Sequence, residues 1–115
     1  MNYEKLIKSE FNFLKKRGFK IKNYTRNFEI EFNFQKTDAI ISINYVDYNN
    51  SVVGCGIEKG DKKENILKST FFDEANLSML NDKIATHINS AEDQIKIYSQ
   101  FLAENVDKIM QDTLK

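Results

Sequence analysis

Cys55 and His87 are the single thiol and the single imidazole of this 115-residue chain, and together they would make a nucleophile with its general base. Their surroundings point elsewhere. Cys55 stands in Gly54-Cys-Gly56, inside a stretch that reads as a strand, where a buried inert thiol is the usual role. His87 falls in a polar stretch that reads as a solvated loop. One histidine excludes a His-x-x-x-His metal helix within the chain. Gly54-Cys-Gly56 lacks the third glycine that would open a helix in a dinucleotide fingerprint. Its glycines point instead to a bulge or to the close approach of another backbone. The paired carboxylates Asp73-Glu74 and Glu92-Asp93 would do acid–base chemistry only by converging in a cleft. Glu92-Asp93 reads as helix N-terminal charge, and Asp73-Glu74 can be read the same way. The expectation is a protein that is not an enzyme and needs no metal and no cofactor.

Charge gives better candidates than catalysis. Basic and acidic residues balance at 17 each, but residues 1–36 hold nine basic and four acidic side chains, a net of +5, and residues 37–115 hold eight and thirteen, a net of −5. Lys15, Lys16, Arg17, Lys20, Lys22 and Arg26 interleave with Phe19 and Tyr24, a composition that can grip phosphates while aromatics stack on bases. The same residues also read as a solvated helix end and the wet face of a strand. Glu58, Asp61, Glu64, Asp73, Glu74 and Asp82, with Asp38 and Asp47 in turns, could present a negative patch to a basic protein. The plain reading of that set is an ordinary solvated surface.

The elements that must position these groups follow from periodicity. Tyr3 to Arg17 reads as a helix, with Tyr3, Leu6, Ile7, Phe11 and Leu14 inward and Gly18 as its left-handed stop. Phe19–Tyr24 alternates and reads as a short strand. Phe28-Glu-Ile-Glu-Phe-Asn-Phe34 alternates without a break, which puts Phe28, Ile30, Phe32 and Phe34 on one face and Glu29, Glu31 and Asn33 on the other. Ala39–Val46 is a β-branched, central strand, and Ser51–Glu58 is a fourth. Short turns make this an antiparallel meander. Lys59–Lys63 reads as a turn, Glu64–Leu80 as one helix, two helices, or a strand then a helix, with helix favoured, and Asn81–Asn89 as loop. Ser90-Ala-Glu-Asp93 has the form of a helix cap, followed by a long amphipathic helix to about Asp112. The fold class expected is α+β: an N-terminal helix, a four-stranded antiparallel meander, and C-terminal helices packed on one face of the sheet.

With 41% apolar and 30% charged residues, residues 1–115 suit one globular domain. No stretch approaches the roughly 20 apolar residues of a membrane span. Charges interrupt the apolar pattern of the first residues, and a lone cysteine suits a reducing compartment, so a cytoplasmic location is expected.

The order of elements resembles that of small bacterial immunity proteins that neutralise polymorphic or contact-dependent growth inhibition toxins. Arg17-Gly-Phe-Lys-Ile21, Ile43-Asn-Tyr-Val-Asp47 and Tyr98-Ser-Gln-Phe-Leu-Ala-Glu-Asn-Val-Asp-Lys-Ile109 carry the resemblance across nearly the whole chain. Tyr48-Asn49-Asn50 departs from it, standing where further charged residues would be expected. The resemblance implies a non-enzymatic inhibitor whose partner is a cognate toxin, through that toxin's C-terminal domain. Asp47, Tyr48, Asp73 and Glu74 are the partner-binding candidates, because they combine carboxylates with an aromatic anchor. Two other classes compete. One is a nucleic-acid-binding accessory protein using Lys15, Lys16, Arg17, Lys20 and Lys22. The other is a homo-oligomer paired through edge strands or the last helix.

Overall fold

A computed structural model describes residues 3–26, 29–46 and 53–111. Two short helices come first, α1 (Tyr3–Glu10) and α2 (Asn12–Lys16). Five strands follow: β1 (Lys20–Arg26), β2 (Glu29–Lys36), β3 (Ala39–Val46), β4 (Val53–Lys59) and β5 (Lys62–Asn65). A 3-10 turn at Ile66–Lys68 leads to α3 (Glu74–Thr86) and α4 (Ala91–Gln111). The strands pair antiparallel in chain order, β1-β2-β3-β4-β5. The α+β architecture is the expected one, but the sheet has a fifth strand.

That strand corrects two expectations at once. Lys59 pairs with Lys62, so the turn is only Gly60-Asp61, with Gly60 at φ +57. Gly-Asp between two runs is a two-residue hairpin signal, which reads weakly here because Lys62–Asn65 has no apolar alternation. Of the readings open to Glu64–Leu80, the favoured continuous helix gives way to the strand followed by a helix. Strand, 3-10 turn and loop precede α3, which starts only after Asp73 caps it by accepting the Asn76 amide at 2.8 Å. Asn81–Asn89 is likewise no loop up to Thr86. Leu80 and Ile84 are buried one turn apart, and the polar residues between them form the outer face of α3.

The first helix breaks at Phe11, where Leu14 N–H bonds to Phe11 C=O in a tightened turn. Ile7, Phe11 and Leu14 are all fully buried, and the Phe11 ring stacks on Phe34 at 5.5 Å. Gly18, at φ +96, ends α2 as expected. Its N–H reaches Lys15 C=O while Phe19 N–H reaches Leu14 C=O, satisfying carbonyls that the helix end would leave unpaired. At the other end of the chain, Ser90 Oγ accepts the Asp93 amide at 3.2 Å and caps α4 as its sequence implied.

Alternation divides the sheet into two unlike faces. Phe32, Phe34, Ala39, Ile41, Ile43, Tyr45, Cys55 and Ile57 lie on the face that the helices cover, all at 4% exposure or less. Ile95, Tyr98, Leu102, Val106 and Ile109 of α4 meet them, and α4 also packs on α1 and α3. Lys59 shares this covered face. It is buried, and its ammonium donates to the carbonyls of Ile109 and Met110 in the last turn of α4. The sheet thus ties down the helix's C-terminal end with a cation, which also suits the dipole there.

Two substitutions measure these contributions by urea unfolding. Phe34→Ala is expected to cost about 3–5 kcal/mol, from lost transfer energy and a cavity under Phe11. Lys59→Met keeps most of the packing but strips the Ile109 carbonyl of its donor, and is expected to cost about 1–3 kcal/mol. A Lys59→Met cost near zero would mean that the bond to α4 contributes nothing.

Candidate functional site

The nucleophile–base pair suggested by composition is not made. Cys55 is buried on the covered face, and burial pushes its thiol above the ordinary range, as does the burial of Tyr98 beside it for that phenol. His87 is the C-cap of α3, where its Nδ1–H donates to the Lys83 carbonyl at 2.9 Å. Glu92 pairs with Lys96 along α4 at 3.1 Å, a helix-surface arrangement. Among the described residues, no group of three or more His, Cys, Asp and Glu side chains could hold a metal ion.

Of the four partner-binding candidates, the structure describes Asp73 and Glu74. Asp47 and Tyr48 lie outside the described residues. Asp73 is occupied as the α3 cap and faces Lys108 of α4 at 3.5 Å, with Glu74 exposed in the first helical turn beside it. The bond from the Asn76 amide, helped by Lys108, holds the Asp73 carboxyl below its usual range. Lys59, at the end of β4, holds the α4 turn next to Lys108.

The basic set is divided too. Lys15, Lys16 and Arg17 end α2 on the helical side, where Arg17 pairs with Asp107 and its carbonyl accepts from Lys36. Lys20 and Lys22 belong to β1. Only these two share a depression, of about 290 Å³, with Gln35, Lys36, Thr37 and Gly18. Arg26 closes the same strand.

The geometry instead draws attention to the uncovered face of the sheet. Register places Lys22, Asn33, Ser42, Gly56 and Asn65 in one row across all five strands. Tyr24, Glu31, Asn44 and Gly54 form the row on one side. Lys20, Gln35, Ile40, Glu58 and Lys63 form the row on the other. The two glycines do not mark a bulge, since the β3–β4 register runs unbroken past them. A Cβ at Gly54 would come within 2.7 Å of Asn44 Oδ1, and one at Gly56 within 2.9 Å of Ser42 Oγ. Glycine lets these neighbours lie across β4 while leaving its lane bare.

The result is a trough of about 260 Å³ along the central row, lined by Glu31, Asn33, Ile40, Ser42, Gly56 and Glu58 among others. Asn33 Oδ1 is sealed, with less than 1 Å² accessible, and accepts no hydrogen bond. An amide oxygen left so typically costs about 1–3 kcal/mol. In the sequence, Glu31 and Asn33 stand only as a wet face, and Gly54 and Gly56 as a bulge or a close approach of another backbone. The alternation was visible, but the row requires the register of four strand pairs.

On the covered side of β5, opposite Ile57, one carboxylate has a structural task. Glu64 accepts from the Thr70 hydroxyl at 2.7 Å, the Thr70 amide at 3.0 Å and Ser69 Oγ at 3.2 Å, fixing the loop after the 3-10 turn. Burial pushes its carboxyl up, but the Thr70 and Ser69 bonds and the Lys62 charge outweigh it, so its pKa lies below the ordinary value.

Comparison of the chain with family models, curated proteins and solved structures finds no match. Its site must be argued from geometry alone.

Two measurements test the assignments above. A carboxylate with a lower pKa folded than unfolded contributes stability that is complete above the unfolded value and lost as pH falls through the folded one. Acidification below about pH 5 should therefore destabilise the wild type more than Glu64→Gln. Equal acid sensitivity of the two would contradict the Glu64 assignment. Cys55 should resist an aromatic disulfide reagent in the native state and react fully in urea; rapid native labelling would show that it is accessible.

Proposed function

We propose that this protein is a non-enzymatic inhibitor of the immunity type, which binds a cognate toxin and occludes its active site or substrate path. The observation that supports this best is the uncovered sheet face. It is a surface of mixed charge that no described element covers, backed by a core that holds it rigid. A preformed surface of this kind loses little conformational entropy on docking. Glu29, Glu31 and Glu58 on it suit a basic partner, since complementary charge speeds encounter and enforces specificity. The contact set moves accordingly, from Asp73 and Glu74, which serve α3, to the sheet face.

Nucleic-acid binding through Lys20 and Lys22 is the second reading, resting on the basic depression they share with Lys36. It ranks lower because Glu29 and Glu31 stand on the neighbouring strand of the same face and repel phosphate. A homo-oligomer through β1 ranks lower still, because Lys20 and Lys22 on this edge strand are of the type that discourages edge pairing.

Co-expression with the C-terminal domain of a toxin-like protein encoded by the neighbouring reading frame tests the proposal. One-to-one co-purification and loss of toxicity are expected. Glu31→Lys with Glu58→Lys should weaken the complex at least about tenfold, or about 1.4 kcal/mol. Absence of any complex, together with salt-steep binding of a single-stranded oligonucleotide that Lys20→Glu with Lys22→Glu abolishes, would replace it with the second reading.

A further inference from the structure

We propose that the trough across the middle of the open sheet face is a receptor for one guanidinium group, that of an arginine side chain presented by the partner protein. The arginine's source rests on the inhibitor reading; the site itself rests on its own chemistry.

The lining is rich in acceptors that the chain leaves unused. Glu31 and Glu58 are half-buried on opposite sides of the central row, and among the described residues neither carboxylate makes a hydrogen bond or ion pair. A carboxylate accepts but does not donate. Ser42 Oγ, between them, has no side-chain partner among the described residues either. Partly dehydrated acceptors with no intramolecular donor call for a ligand that is mostly donor. A guanidinium is that group: planar, always charged, weakly hydrated, and carrying a fork of N–H donors with no acceptor.

Shape agrees with charge. Gly56 leaves β4 without a side chain in the trough, so a flat group can rest against its backbone. Ile40, in the flanking row, offers an apolar surface for the methylene stem of arginine. Lys22 ends the central row on β1, and Lys63, opposite Glu58 on β5, lines the outer end of the trough. These lysines at the two edges disfavour a polycation and leave room for a single positive group between them. The same carboxylates disfavour phosphate.

The test follows backbone amide resonances of the full chain during titration with N-acetyl-arginine amide, N-acetyl-lysine amide and inorganic phosphate in separate experiments. Saturable shifts centred on Asn33, Ser42, Gly56 and Asn65 are expected with the arginine amide, weaker ones with the lysine amide, and none there with phosphate. Glu31→Gln with Glu58→Gln should lower arginine-amide affinity at least about tenfold while leaving the spectrum otherwise unchanged. Gly56→Val should block the site by filling it. No saturable shift at the row, equal affinity in the Gln double variant, or phosphate moving the same amides would each overturn the proposal. The toxin assay separates the two levels. A toxin domain that binds wild type and Gly56→Val alike removes the trough and leaves the inhibitor reading. Arginine-amide binding without any toxin complex removes that reading and leaves the site.

Discussion

One-sided burial of the sheet is the constraint on which the rest of this structure depends. A strand's side chains alternate between faces, so a sheet that buries Phe32, Phe34, Ile41, Ile43 and Ile57 under helices must turn every second residue outward. The helices then exist to cover one face. The tightened turn at Phe11, the Schellman end at Gly18 and the Lys59 grip on the end of α4 all serve that single interface. What remains on the other side is a grid of polar side chains whose spacing is dictated by a core they do not touch.

That grid is also where polar groups are treated differently from the rest of the chain. Asp73, Glu64, Asn65 and Ser90 are spent locally, each accepting from a nearby amide to start a helix or pin a loop. Gln94 is buried and donates to the His87 and Ile88 carbonyls, closing the turn between α3 and α4. By contrast, Glu31, Glu58, Ser42 and Asn33 sit half-buried with no such task. Free acceptors in a bare trough are what separate a candidate site from a merely solvated face. Asp73, by contrast, is spent as the cap of α3.

Local signals were readable where one physical cause dominates. The unbroken alternation of β2, the β-branched run of β3, the left-handed glycine after α2 and the serine cap of α4 each act through a few neighbouring residues. Misreadings arose where a tertiary partner overrode them. Lys62–Asn65 has no strand pattern and becomes β5 only because Gly60-Asp61 folds it onto β4. Asn81–Thr86 is polar enough for a loop and is helical because Leu80 and Ile84 find a core to enter. Continuous helical periodicity from Tyr3 concealed the break at Phe11, which the ring of Phe34 helps to hold.

By itself, then, the sequence determined the α+β class, the dry face of the sheet and a thiol placed on it, because alternation and capping are properties of the chain's nearest neighbours. Only the tertiary structure decided which polar residues stand together. Asn33, Ser42, Gly56 and Asn65 are separated by up to 32 positions and meet in one row solely through strand register. Lys20 and Lys22 part from Lys15 and Lys16 because a sheet lies between them. Register is fixed by packing on the opposite face, and that packing exists only once the helices are in place.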